Sequence, residues 1–353
     1  MSAAVHVRLS DRSARASLAM LATVLIALAA APLWGGRDDL RLLAEIYAYI
    51  ALASLWNLLA GYAGLVSIGQ QGYVGLGAYL LFTLTILVGV PPLAAIPVAG
   101  FMAAILSLPV VAVLIFRLRG HYFAIGTWIV AEVFRLLASQ VSALGGGSGL
   151  SLPAGIVTSI AASRQMREFV IYWIALALTV AILGAIVLLL RSRYGLALRA
   201  IRDNELAAQS NGVNVIWVKL VVYVITVFGT AMLGALIFLQ KLRISPDAAF
   251  SVNEWTAFVI FITVIGGIGR VEGPIIGTLV FFLLRQTLAD LGTIYLMMLG
   301  AVAIAVMLFA PKGIWGLLVE RFGWEIFPLE RRVVFADRDA PPPRVPKGRP
   351  ETK

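Results

Sequence analysis

The chain has 353 residues, 61% of them hydrophobic and only 13% charged, with a mean hydropathy of +0.94. A water-soluble domain carries about a quarter charged residues, so this composition excludes a cytosolic enzyme or a nucleic-acid binder despite the net charge of +10. Cysteine is absent and His6 and His121 are the only histidines, which excludes disulfides, a thiolate or multi-histidine metal centre and a Cys nucleophile.

A membrane-crossing helix needs roughly 20 apolar residues. Runs of about that length are Leu18–Trp34, Leu42–Ala60, Leu65–Val88, Leu93–Phe116, Tyr122–Ser142, Phe169–Leu190, Ile216–Leu239, an interrupted stretch Trp255–Leu284, and Ile294–Ala310. The first run has a basic leader and ends in Ala29-Ala30-Ala31-Pro32, the pattern of a signal segment; its length and the following Pro favour an uncleaved anchor. Arg8, Arg12, Arg15, Arg117, Arg119, Arg191, Arg193, Arg199, Arg202 and Lys219 fall on one side if the N-terminus is inside, which makes that side cytoplasmic. The basic residues after Pro311 place the C-terminal tail there too, so the interrupted stretch must cross twice or enter and return. The expected architecture is an all-α polytopic membrane protein. It is a bundle of about eight to ten transmembrane helices with Gly-interrupted or re-entrant segments and both termini cytoplasmic. Residues 1–17 form the N-terminal tail, 18–312 the transmembrane part with a cytoplasmic loop over 191–215, and 313–353 the C-terminal tail, disordered from Asp337 onwards.

The segment Gly61–Gly77 is dense in glycine, at a cost of about 1 kcal/mol per interior helical position. It reads either as a broken helix lining a path with Ser67, Gln70 and Gln71, hinged at Gly64 and Gly69, or as close helix packing. Asn57, in the run before it, bridges helices or touches solute. Glu132 and Arg135 lie on one helical face within the fifth run. They form either a self-satisfied pair or part of a pathway.

Between the sixth and seventh runs, Tyr194, Leu198 and Ile201 share a helical stripe and Arg199 and Arg202 another face. Asn204 can cap a second helix beginning at Glu205, beside Asp203, and Asn211-Gly212 ends it. This amphipathic elbow suits docking to a protein or lying on anionic headgroups. Later, Gly266, Gly267 and Gly269 interrupt the eighth run. Non-helical backbone at membrane depth is tolerated only inside protein or along a wet cavity. A pair of Gly-broken segments in two halves also points to repeated architecture around a path.

No Lys is followed by Ser or Thr, so the phosphate-cradling loop of ATPases is missing, as is an HExxH metal motif. The chain therefore cannot use ATP itself and offers no cofactor or metal site of its own; if it carries out active transport, the energy must come from a partner or an ion gradient. An intramembrane enzyme would need convergent acids; a secondary carrier would use Glu132 as its ion-coupling group.

With these segments the chain resembles the permease subunits of branched-chain amino acid ABC importers, over roughly Ile50–Leu317. The resemblance rests on Trp56-Asn57-Leu58-Leu59-Ala60-Gly61-Tyr62 running on to Gly77, on Ser192-Arg193-Tyr194-Gly195 through Glu205, on Gly266-Gly267-Ile268-Gly269 with Gly273–Gly277, and on Leu308–Gly316. It implies alternating-access import of leucine, isoleucine, valine or related small solutes across a bacterial inner membrane. Urea, short amides and aromatic acids are the related alternatives. It also implies as partners a second related permease, two ATP-binding subunits that hold the ATP, an extracytoplasmic solute-binding protein and membrane lipids, with no nucleic acid. The Arg199–Gly212 elbow would dock on the ATPase. Such permeases carry Glu-Ala-Ala followed by Gly there; Ala207, Ala208 and Gly212 match, Leu206 stands at the Glu position and Glu205 is one residue early. Relatives often have a His near Gln70-Gln71.

Overall fold

The computed structural model of the chain describes residues 5–7, 11–161, 163–288, 294–322 and 333–335. Helices α1 (Asp11–Ala30), α2 (Arg37–Asn57), α3 (Gln70–Phe82), α4 (Pro92–Arg117) and α5 (His121–Ser139) come first. After the short α6 (Ala154–Ile160) and the long α7 (Arg164–Arg191), the elbow consists of α8 (Arg193–Asp203) and α9 (Glu205–Ser210). Then follow α10 (Val215–Lys241), α11 (Pro246–Ala249), α12 (Phe258–Gly266), α13 (Gly273–Leu288), α14 (Ile294–Phe309) and α15 (Gly313–Phe322). Among the described residues eight helical units are long and apolar enough to cross a membrane, and Ala22–Leu33 and Gly273–Leu288 are shorter apolar helices. The protein is an all-α polytopic membrane protein.

Helix α2 is the hub. It is the most buried of the eight and packs against α7, α10, α12 and α13, while α10 also packs on α3 and α4. Its start is set by Asp38 and Asp39 in the first turn, where carboxylates complement the positive end of the helix dipole. The Gly36 N–H donates to Asp39 Oδ2 at 3.0 Å. Ser163 caps α7 by accepting from the Met166 N–H at 3.1 Å, and Asn214 caps α10 by accepting from Trp217 at 3.1 Å. Pro97 and Pro109 sit inside α4, where packed neighbours can absorb the lost backbone bonds.

Three sequence boundaries shift. The run expected to start at Leu65 becomes helical only at Gln70, after a π-helical turn Leu58–Tyr62 and an irregular stretch. Within the irregular stretch Gly64 and Val66 are exposed while Leu65 and Ser67 are buried, with the Leu65 N–H donating to Leu59 O at 2.9 Å and the Trp56 indole N–H to Ser67 O at 2.8 Å. Helix α5 stops at Ser139, three residues early, as the backbone leaves the helical region at Val141 (φ −79, ψ 89); Gly145, Gly146 and Gly149 take positive φ in the turns that follow. The interrupted stretch becomes two helices running back along each other: Gly266 abuts Gly273, Ile262 abuts Gly277, and the Phe258 and Phe281 rings are 5.0 Å apart. Each pair sums to the same residue number, the signature of an antiparallel hairpin.

Two small sheets complete the fold. Strand β1 (Val5–Val7) pairs antiparallel with β4 (Val333–Phe335), bringing the two ends of the chain together. Strand β2 (Leu150–Ser151) pairs with β3 (Arg243–Ile244), tying the loop after α5 to the end of α10. The tail expected from residue 313 opens with α15, which packs on α12 and α13. The disorder expected over Asp337–Lys353 lies outside the described residues.

Candidate functional site

The elbow forms as its caps dictate. Ser192 accepts from the Tyr194 N–H at 3.2 Å and starts α8; Asn204 accepts from the Ala207 N–H at 3.0 Å and starts α9; Gly212 closes α9 with φ +81. Its buried stripe is Gly195, Leu198 and Ile201. Tyr194, expected on that stripe, is 36% exposed instead, because Gly195 takes the position pressed against the Leu190 backbone. Glu205 pairs with Lys219 at 2.8 Å and anchors α9 to α10. Asp203 and Asn204 face solvent. At the tip Leu206 is 73% exposed.

The elbow reaches the hairpin break through Arg202. Gly269 has φ +79, and a methyl placed on it would lie 2.8 Å from Arg202 Nη1, so the guanidinium sits directly over the break. From the other side Asn57, at the end of α2, accepts from the Gly269 N–H at 2.8 Å and donates to Arg270 O at 2.8 Å. A Cβ on Gly61 would meet both Asn57 Oδ1 and the Gly269 amide. Gly267, φ +125, faces the Lys312 carbonyl between α14 and α15. Arg199, Arg202, Arg270 and the buried Glu272 all act electrostatically on the buried Tyr62. Gly266 faces Gly273 at the helix ends. The break is thus clasped by α2, by the elbow and by the α14–α15 turn.

The Gly61–Gly77 segment packs on all sides. Gly69 abuts the Thr127 carbonyl, and a Cβ placed on Gly72 would lie 2.8 Å from that of Ala131, both partners being on α5. Gly77 meets Ala231 and Gly234 meets Val74, so α3 and α10 cross backbone to backbone. Gly64 is different: φ is +67 and open space surrounds it. Ser67, Gln70 and Gln71 are buried. The Gln70 amide donates to Leu52 O at 3.0 Å. Gln71 exchanges two bonds with Thr256, accepting at its side chain and donating its N–H at 3.1 Å. The Ser67 hydroxyl lies 3.4 Å from that of Tyr223, which in turn accepts from Tyr73 at 3.3 Å. Each polar group expected along a path here has a protein partner.

Glu132 and Arg135 pair at 2.6 Å, and Arg135 also reaches Asp247 at 3.0 Å. The acidic neighbour that the sequence does not reveal for this pair comes from α11, 112 residues away. Glu132 is 45% exposed at its side chain, so the pair lies at the bundle surface, not in its interior. Thr127, Thr256, Tyr223 and Asp247 carry no local motif, and only the folded chain brings them to the predicted residues.

The sequence profile of the family described as "Branched-chain amino acid transport system / permease component" matches residues 40–311. The high-affinity branched-chain amino acid transport system permease protein LivM of Escherichia coli (strain K12) is 30% identical over 305 residues, covering 79% of this chain and 70% of that protein. The LivM protein of Salmonella typhimurium is 28% identical over 320 residues, covering 83% and 74%. The probable branched-chain amino acid transport permease protein LivM of Methanocaldococcus jannaschii is 25% identical over 273 residues, covering 68% and 78%. No solved structure gives a significant match. The matched residues hold α2 to α14 with the elbow and the clasped hairpin inside them, and the chain belongs to the branched-chain amino acid transport permease family.

Proposed function

We propose that this chain is a translocating subunit of an ATP-driven importer in the bacterial inner membrane, carrying leucine, isoleucine and valine. It would act with a second related permease, two ATP-binding subunits and an extracytoplasmic solute-binding protein. The relatives are named as branched-chain amino acid transport permeases, which supports the solute class. Energy would come from ATP on the partners, because no P-loop is present in the sequence.

The observation that carries the reading is the Arg202 guanidinium over Gly269. It makes one mechanical path from an exposed elbow to the break of a membrane hairpin. Closure of the ATPase pair would push the elbow through its exposed tip at Leu206 and its acidic corner at Asp203 and Glu205. Arg202 would transmit that push to the break, and Asn57 would pass it to α2 at the centre of the bundle. Two packings of the hairpin against α2 would then alternate the access of the path.

The test is uptake of labelled leucine by vesicles holding all partners. Uptake should collapse on ATP depletion and survive an ionophore; the reverse would make the chain a secondary carrier. Reversing Asp203 and Glu205 together to Lys should lower uptake at least about tenfold with insertion intact, the scale of a lost docking hot spot. Unchanged uptake in that variant would remove the coupling role of the elbow.

A further inference from the structure

At the end of the bundle away from the elbow, a cavity of about 660 Å³ opens between the start of α2, the end of α10, the turn before α12 and the facing ends of α13 and α14. Its volume falls in the range of about 300–1,000 Å³ usual for small-molecule sites. The charges on its wall do not balance. Lys241 pairs with Glu254 at 3.3 Å and Arg285 with Glu45 at 2.7 Å, so both acids of the wall are taken. Arg41 remains as a third cation, exposed and with no carboxylate partner among the described residues.

Gln240 adds a second unspent donor. Its side chain lines the cavity, and its amide nitrogen is buried without a hydrogen-bond partner among the described residues. A buried amide donor left unpaired is costly, and such a group in a native fold calls for a ligand or water. A free cation and a free N–H, with every acid of the wall already paired, select an anion that brings no cationic end of its own.

The mouth of the cavity shows what that anion is attached to. Leu296 lines the cavity and is 43% exposed, in the first turn of α14. Ile294 and Met297 beside it, and Leu283 on α13, are exposed as well. The cavity therefore opens onto an apolar surface that continues along the outside of α13 and α14. Tyr49, Trp255 and Tyr295 line the same space, with Tyr49 stacked on Trp255 at 6.0 Å between ring centroids and Lys241 over the Trp255 ring at 4.8 Å. Trp and Tyr gathered with Arg and Lys at helix ends mark the headgroup level of a bilayer.

We propose that this cavity binds the phosphate of an anionic phospholipid. The phosphate accepts from the Arg41 guanidinium and the Gln240 amide, and the acyl chains run along the exposed faces of α13 and α14. A basic pocket between membrane helices suits such a head. A free phosphate would meet the same two donors but leave the apolar mouth unused. A choline head would set its cation against a wall with no free acid, and an unpaired desolvated charge is strongly disfavoured. The bound lipid joins α2, through Arg41, to α10, through Gln240, and to the hairpin and α14 through its chains. It holds whichever solute the chain carries and stands apart from the transport reading.

The experiment uses the purified full-length chain, with any subunits that co-purify, delipidated in detergent and titrated with lipid under native mass spectrometry. Dioleoylphosphatidylglycerol is the probe. Dioleoylphosphatidylcholine carries the same chains on a head without net charge, and glycerol 3-phosphate carries the anion without chains. The probe should bind at least about tenfold more tightly than either, the scale of a charge-assisted bond. Arg41→Gln and Gln240→Leu should each remove that preference, and Arg41→Lys should keep most of it. Arg164→Gln, exposed at the start of α7 and outside the cavity, should leave it unchanged. Because Gln240→Leu could disturb α10, the exposed Arg41 variant carries the test, with its lipid-free melting temperature expected to match that of the unaltered chain. Preference retained in Arg41→Gln, or equal retention of phosphatidylcholine, would overturn the site. Full competition by glycerol 3-phosphate would make it a soluble-anion site and overturn the lipid. An equal loss in Arg164→Gln would show diffuse surface attraction and overturn the cavity as its seat.

Discussion

Asn57 contributes to the hairpin with both ends of its amide, and no other residue type supplies that geometry at the end of α2. Its oxygen takes the Gly269 N–H and its nitrogen gives to Arg270 O. Asn57→Leu strands both backbone groups in a buried place, at about 1–3 kcal/mol each. The expected outcome is a lower melting temperature in detergent with an equal or larger loss of uptake; unchanged stability would mean that the clasp is not formed. The glycines separate in the same way. A methyl on Gly69 would overlap the Thr127 carbonyl of α5, whereas one on Gly64 meets nothing. Gly69→Ala should therefore cost about 1–3 kcal/mol as an overpacked contact. Gly64→Ala should cost only the left-handed strain, roughly 1–2 kcal/mol. Thermal unfolding of the two variants side by side checks the order; a larger loss at Gly64 would contradict the packing. The sequence shows these glycines as dense, but not which one faces backbone and which faces space, because that depends on a helix about 60 residues away.

Among the elements, the elbow and the hairpin were readable to different depths. Helix α8, the cap at Asn204 and the stop at Gly212 follow from local chemistry: a short polar side chain frees an N–H from seeking a partner, and a glycine accepts a positive φ. The break at Gly266–Gly273 was equally visible, since a run of glycines with Arg270, Glu272 and Pro274 cannot continue as a lipid-facing helix. What the sequence could not show is that these two elements touch. Arg202 and Gly269 are far apart in the chain, and their contact depends on where α7 and α10 set the elbow against α2. The same holds for Asp247 on Arg135 and for Thr256 on Gln71. At the elbow itself, Leu206 sits 73% exposed, and an isolated apolar side chain at the tip of a rigid elbow fits a pocket on a partner. Leu206→Asp should reduce co-purification of the ATP-binding subunit with the assembly while leaving the melting temperature of the permease unchanged, because the side chain packs on nothing in this chain. Retained co-purification would move the docking point to Asp203 and Glu205.

At the scale of the molecule, burial grades from the hub outwards. Helix α2 is enclosed, whereas the unit Ile294–Val319 is 11% buried and α5 22%. Exposed Phe, Leu, Met and Trp side chains cover α4, α5 and α14. In water such faces would aggregate; in a bilayer, lipid or another membrane helix covers them at no hydrophobic cost. The elbow carries Arg191, Arg193, Arg199 and Arg202, and the tendency of positive residues to stay inside predicts that it faces the cytoplasm. The natural absence of cysteine makes this directly measurable. Leu206→Cys lies at the elbow tip, and Gln140→Cys lies just beyond the far end of α5, both exposed. An impermeant maleimide should label the first only in inside-out vesicles and the second only in intact cells stripped of the outer membrane. Labelling of both from one side would require α5 to end on the same face as the elbow, and so an odd number of crossings between residues 140 and 206 would be lost. Because α7 is the single long span between them, that result would contradict the helix order of the bundle as well as its orientation, and the opposite-sided result fixes both.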